Sequence, residues 1–335
     1  MILASATHMI DARELTAEVD LCLPDGRLNP NAIGWSRRPL HRCNLNGPWG
    51  RQKRWDYWAI TTKRFALGIT YADVDYVGLV ALALFDFETK RVINRGTARP
   101  LGAGFAQGTR AGVGNISFTG NGLKLELTQT AAGAIVSCRF ADVEASLQIE
   151  RNDDESLNVV IPWSEGLFQY TSKQTSLRTS GEISVGGVTH DATGGFATLD
   201  YGRGVWPYRT VWNWANAAGV EHGQRIGLQF GGKWTDGTGM TENGLMLNGR
   251  LYKIKEDVAF DYGRGLDAPW TLRSPHVDLQ FEPFMRKRVF APLLVASVQL
   301  NLCFGHFSGT VEGDGSGPIR VERMLGWAEE FRGRW

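Results

Sequence analysis

The sequence predicts an all-β protein, and three observations carry that prediction. Apolar and polar residues alternate with a period of two in Leu123-Lys-Leu-Glu-Leu127, from Val143 to Ile149 and in Leu279-Gln-Phe281, the pattern of strands with one buried face. β-branched and aromatic residues, which suit a pleated surface, fill the runs from Tyr57 to Tyr71 and from Ala134 to Phe140. Between such runs stand Asn121-Gly122, Asn152-Asp153-Asp154, Gly186-Gly187, Asn248-Gly249 and Gly313-Asp-Gly315, residues that supply positive φ between antiparallel neighbours. Helical periodicity is confined to short stretches such as Asp11 to Glu18, and no strand-helix-strand alternation favours a doubly wound parallel sheet.

With 335 residues the chain is long for one barrel or sandwich, which points to two domains. The Ser/Thr-rich passage from Pro162 to Gly187 reads as a polar connection between two strand-dense halves, and places the boundary near residue 185, with domains 1–185 and 186–335. The pentapeptide Asp-Tyr-Gly-Arg-Gly occurs at Asp200 to Gly204 and again at Asp261 to Gly265. Its flanks do not match, so it reads as two similar tight turns rather than an internal repeat.

Composition narrows the function. Lys and Arg number 36 against 35 Asp and Glu, and so balanced a chain lacks the basic excess of a nucleic-acid binder. No apolar run reaches the length of a membrane-spanning helix. The first residues lack the basic start and apolar core of a secretory signal, so a cytoplasmic location is expected. Cys22, Cys43, Cys138 and Cys303 are far apart and read as buried thiols. The six histidines contain no pair at metal-ligand spacing, and neither a metal nor an organic cofactor is expected.

The densest chemistry lies between Thr198 and Ala215, where Asp200, Tyr201, Trp206, Tyr208, Trp212 and Trp214 fall together. On a strand, Trp212 and Trp214 share a face. They are either plain core or the wall of an apolar cavity in which ring faces stabilise positive charge. Asp200 would supply or remove a proton there, because burial favours the neutral carboxyl. Glu242, in Thr241-Glu242-Asn243 after a Gly-rich loop, is a second acid candidate at a strand mouth, with Asn243 beside the ligand. His306, in Cys303-Phe-Gly-His-Phe-Ser-Gly309, is a candidate proton relay. Trp55 and Trp58 add aromatic surface next to Arg51, Lys53 and Arg54, a basic stretch that could attract an anionic head group or a membrane surface.

The segments Arg54-Trp-Asp-Tyr-Trp58, Asp200-Tyr-Gly-Arg-Gly-Val-Trp-Pro-Tyr208, Trp212-Asn-Trp214, Thr241-Glu-Asn243, Ala268-Pro-Trp270, Phe304-Gly-His-Phe-Ser-Gly309 and Gly326-Trp-Ala-Glu329 resemble those of a microbial family, domain of unknown function 2804. That family distantly resembles the lipocalin-like group of carotenoid 1,2-hydratase, tocopherol cyclase and fungal Diels-Alderases. The resemblance implies two lipocalin-like (calycin) β-barrels in tandem with a hydrophobic cavity. In the hydratase and cyclase relatives an acidic residue precedes a Trp-x-Trp element, and Asp200 before Trp212 and Trp214 is similar, with a longer intervening segment.

Three functions compete. The first is a cofactor-independent enzyme that hydrates, dehydrates, isomerises or cyclises a hydrophobic unsaturated small molecule, terpenoid-like or polyketide-like. The second is a non-catalytic lipid- or pigment-binding barrel with the same cavity. The third is a structural protein whose tryptophans merely join two domains.

Overall fold

The computed structural model describes residues 12–292 and 297–335. Strands dominate, and the one helix among the described residues is the short 3-10 turn Pro30–Ala32. One sheet has thirteen strands and another nine.

The main path of the first sheet runs Val92–Pro100, Val77–Asp86, Phe65–Asp73, Gln52–Thr61, Gly195–Val205, Phe168–Val185, Val143–Glu150, Gly133–Phe140, Leu123–Thr130, Gly114–Gly120. It curls until its edges approach: the Arg99 guanidinium of one edge strand lies 4.9 Å from the Phe118 ring of the other. The resulting near-closed barrel surrounds a core that includes Trp58, Leu67, Val136, Phe140 and Leu199. In the second sheet the order is Arg250–Ile254, Asn243–Leu247, Gln224–Gly232, Arg209–Glu221, Gly317–Arg334, Ser297–Gly313, Val277–Pro292, Trp270–Ser274, Ala259–Asp261. This half-barrel closes on Phe230, Trp270, Phe281 and Phe307. The expected hairpin chemistry operates: Asn121 and Gly122 have φ of 55° and 72°, and Asn248 and Gly249 have 49° and 86°, as two-residue turns between twisted strands require. All four cysteines are free and buried.

The outer faces of the two sheets meet. Phe85 and Phe87 of the first pack on Phe304 of the second, with ring centroids 4.8 and 5.3 Å apart, inside an apolar layer shared by both sheets. Hydrogen bonds cross the same junction: Asn216 Oδ1 accepts from Thr175 and Thr198 at 3.1 and 3.0 Å.

Several expectations change. Residues 12–18 are not helical; Leu15 N–H donates to Trp35 O and Trp35 N–H to Arg13 O, so the segment spends its backbone groups on the strand segment at Trp35 (Asp11 lies outside the described residues). The Pro162 to Gly187 passage is no linker. It contains the long strand Phe168–Val185, buried continuously from Phe168 to Leu177, whose polar side chains serve a buried junction rather than water. The chain changes sheet between Val205 and Arg209, later than residue 185, because Gly195–Val205 is held between Gln52–Thr61 and Phe168–Val185. Asp200 to Gly204 lies inside that strand, not in a turn. Its glycines serve close approach: a Cβ on Gly202 would sit 2.1 Å from the Trp55 ring, and one on Gly204 2.2 Å from Gln169 Oε1.

A candidate active site at the junction of the sheets

Lys173, Asp200 and Tyr57 are successive cross-strand partners on three adjacent strands of the first sheet. Directly opposed residues share a face, so the three form a row, and that face is the one turned to the second sheet. The second sheet answers with its own row, Gly231, Trp214, Glu329 and Leu302, again in direct register. The two rows meet at the Lys173 ammonium. It lies 2.9 Å from Asp200 Oδ2, 3.2 Å from Glu242 Oε1 and 4.1 Å from the Trp214 ring centroid.

Each partner is held in turn. Thr171 donates to Asp200 Oδ1 at 3.4 Å. Trp214 Nε1 donates to Gln229 Oε1 at 2.9 Å, and Asn216 Nδ2 donates to the same oxygen at 3.1 Å, which fixes the indole plane over the lysine. Trp212 Nε1 donates to Glu329 Oε1 at 2.7 Å. Glu242 reaches the ammonium by crossing Gly231, where a Cβ would sit 2.5 Å from its Oε2; only glycine leaves room for the carboxyl. Tyr57 meets Trp214 edge-on at 5.8 Å. Tyr57 and Trp212 are half-buried and margin the layer, whereas Trp214, Asp200, Glu242 and Glu329 are buried.

Asp200 and Glu242 therefore share one ammonium in a desolvated space, and Glu329, bonded to Trp212, lies close enough to feel all three charges. Burial opposes the charge of Lys173, but Asp200 and Glu242 outweigh it and hold its pKa above the ordinary value. Burial, reinforced by the Asp200 charge and opposed by Lys173, pushes Glu242 up to about 7. Glu329 is pushed to about 7 by burial, against the Trp212 hydrogen bond and Lys173, with Asp200 and Glu242 adding to the rise. Burial, with Glu329 and Asp200 behind it, also raises the Tyr57 phenol. Near neutral pH such a cluster holds both a proton to give and a carboxylate to receive one.

The structure gathers Asp200, Glu242, Trp212 and Trp214 here. Tyr201 and Trp58 point the other way, into the first barrel; Tyr201 donates to Gly108 O at 2.9 Å and lies under Arg203, which pairs with Asp56 at 2.7 Å. Trp55 and Trp206 belong to an indole cluster beside the site, 5.6 Å apart, and Trp206 is 6.0 Å from Trp212. Tyr208 is exposed next to Arg51. Asn243 is wholly buried and structural: its Oδ1 accepts from Gly231 N–H and its Nδ2 donates to Glu256 O. His306 stands apart, 3.4 Å from Arg323 and tilted against the Phe284 ring at 5.2 Å. The basic stretch is not a solvated cluster, since Lys53 is wholly buried, donates to Gly50 O and Val74 O, and is drawn down to about 8 by burial.

Sequence reasoning missed Lys173, Tyr57, Gln229 and Glu329. Lys173 was hidden in the presumed linker, where its flanks Phe168-Gln-Tyr170 and Leu177 were the available strand signal. Two clefts of about 370 and about 290 Å³ open elsewhere on the first sheet, beside Ser137 and Glu182 and beside Arg64 and His190.

A family model for a domain of unknown function, DUF2804, matches residues 12–335. No curated protein matches the chain. Among solved structures, kievitone hydratase from Nectria haematococca is similar with a TM-score of 0.53 at 13% identity, over 94% of this chain and 97% of that one. A protein described as a candidate AttH from Nitrosomonas europaea is similar with a TM-score of 0.50 at 15% identity, over 84% of this chain and 92% of that one. The fold is the tandem lipocalin-like barrel that the motifs led us to expect.

Proposed function

The chain belongs to the DUF2804 family, and from that premise we propose that it is an enzyme that transfers a proton to a hydrophobic, unsaturated small molecule held between its two sheets. Hydration, dehydration, isomerisation and cyclisation of an alkene or enone all begin or end with such a transfer. The observation that carries this reading is the buried set of Lys173, Asp200, Glu242 and Glu329 beneath an aromatic margin.

Glu329 is the proton donor in this reading. A carboxyl whose pKa is about 7 is partly protonated at neutral pH and suited to general acid catalysis. Trp212 holds one of its oxygens, and it stands in the row between Trp214 and Leu302. Glu242 receives and returns the proton. Asp200, the acid that the sequence predicts, neutralises Lys173 at 2.9 Å in this reading. The faces of Trp212 and Trp214 stabilise positive charge that develops on the substrate carbon. Kievitone hydratase shares the fold, and hydration is one of the reactions this proton supply would serve. Cofactor independence remains part of the proposal.

The test is to incubate the protein in D₂O with a panel of apolar polyenes and enones and to follow solvent deuterium entering carbon positions by mass spectrometry. Glu329→Gln should lower incorporation by about 10²–10⁴-fold, the usual worth of an acid-base group, while binding of the same compound persists. Full turnover in Glu329→Gln would remove the assigned donor. Binding without turnover by the parent protein would favour the lipid- or pigment-carrying alternative.

A further inference from the structure

We propose that the end of the second sheet nearest the junction docks on an anionic lipid surface, and that the apolar substrate enters from that surface. The second half rests on the proposed function; the docking itself does not.

Large apolar side chains are exposed together at this end. Phe290, 58% exposed, lies in one ladder row with Gln299, Arg332 and Val211, and Val211 and neighbouring Val289 are exposed as well. Tyr208, exposed just before the strand Arg209–Glu221, belongs to the same end, and Trp49, 69% exposed, lies two residues from Arg51. Arg51 ties them in: its guanidinium is 5.7 Å from the Tyr208 ring and its carbonyl accepts from Trp206 N–H. The Tyr208 carbonyl in turn accepts from Trp335 N–H, beside the Arg209 and Arg334 register pair. Indole and phenol rings among aliphatic side chains suit a head-group layer, where one end of each ring is wet.

Charge makes a lipid surface the occupant. The whole chain has a formal net charge of +1, yet cations concentrate here. Arg286 is neutralised by Asp267 and Arg332 by Glu330. Among the described residues, no ion pair engages Arg51, Arg209, Lys287, Arg288 or Arg334. Such a field around exposed aromatics complements anionic head groups.

Of the exposed apolar side chains in the ladder rows, Val289 shares the face of the site, whereas Phe290 and Val211 point to the opposite face of the same sheet end. Val289, Leu300, Phe331 and Trp212 form one cross-strand row, and Lys287, Leu302, Glu329 and Trp214 form the next row on the same face. Rows two residues apart are separated by about 7 Å. An apolar molecule leaving a bilayer at Val289 thus reaches the Glu329 row along a single face.

Vesicle flotation of the full chain tests the docking, with pure phosphatidylcholine against phosphatidylcholine mixed with phosphatidylglycerol. Binding is expected to the anionic vesicles, and to weaken with added salt. Lys287→Glu and Arg288→Glu should each weaken it by more than the roughly five-fold worth of one neutralised cation, and Phe290→Ser should weaken it without changing the melting temperature. Glu242→Gln should bind as the parent does, so the vesicle result is independent of whether the proton chemistry holds. No binding, equal binding to both vesicle types, or indifference to the three patch variants would overturn the proposal. A concentration-dependent dimer abolished by Phe290→Ser in light scattering would give the face to a second copy, and would overturn it too.

Discussion

Lys173 and Asp200 are direct cross-strand partners in the first sheet, and their 2.9 Å ion pair lies on the face that the second sheet covers. The pair is completed from across the junction by Glu242 at 3.2 Å and by the Trp214 ring. Neither sheet alone therefore contains the cluster, and one ammonium joins carboxyls contributed by both.

Removing that ammonium should be costly. Lys173→Met leaves Asp200 and Glu242 buried without a counter-charge, and loss of one partner from a buried pair costs about 3–5 kcal/mol. Urea unfolding should show this loss, and adding Asp200→Asn to Lys173→Met should recover part of it. A decrease below about 1 kcal/mol, the worth of a surface pair, would show that the lysine does not neutralise the cluster.

The stability should also carry a pH signature of Glu329. Its carboxyl rises from 4.5 to about 7 on folding, so the folded protein binds the proton more tightly than the unfolded chain. Stability from this group is complete below pH 4.5, declines as pH rises through the interval, and levels off above about 7. Gln cannot lose a proton. Unfolding free energy of Glu329→Gln relative to the parent should therefore rise between pH 4.5 and 7, by about 1.4 kcal/mol per pH unit at its steepest. Parallel pH profiles for the two proteins would mean that the carboxyl is not raised.

Gly231→Ala should separate position from fold. The added methyl would sit 2.5 Å from Glu242 Oε2 and 3.0 Å from its Cβ, so the side chain must swing off Lys173. We expect a stability loss of about 1–3 kcal/mol, typical of overpacking, with a larger proportional loss of turnover and of the Glu242 contribution to the pH profile. Unchanged turnover and an unchanged profile would show that the Glu242 carboxyl need not lie over Gly231.

Local pattern was readable wherever one side of a strand meets the core and the other meets water. Leu123–Thr130 and Val143–Glu150 alternate buried and exposed almost without exception, and their period of two announced them. The same logic failed for Phe168–Val185, because its outward face is covered by a second sheet and its polar side chains are buried. Polar composition predicts solvent exposure, whereas here it marks hydrogen bonds and an ion pair inside the protein.

The sequence by itself determined the strand content, the hairpin turns, the buried thiols and the shared face of Trp212 and Trp214, since these follow from residue type and spacing over a few positions. Asp200 and Glu242 could be singled out as acids on the same local grounds. Only the tertiary structure decided their partners. Asp200 meets Lys173 through the register of two strands, Glu242 crosses Gly231 from the other sheet, and Glu329 arrives from the last strand. These contacts join residues distant in the chain, and the charge balance that raises two glutamates exists only once both sheets have excluded water from between them.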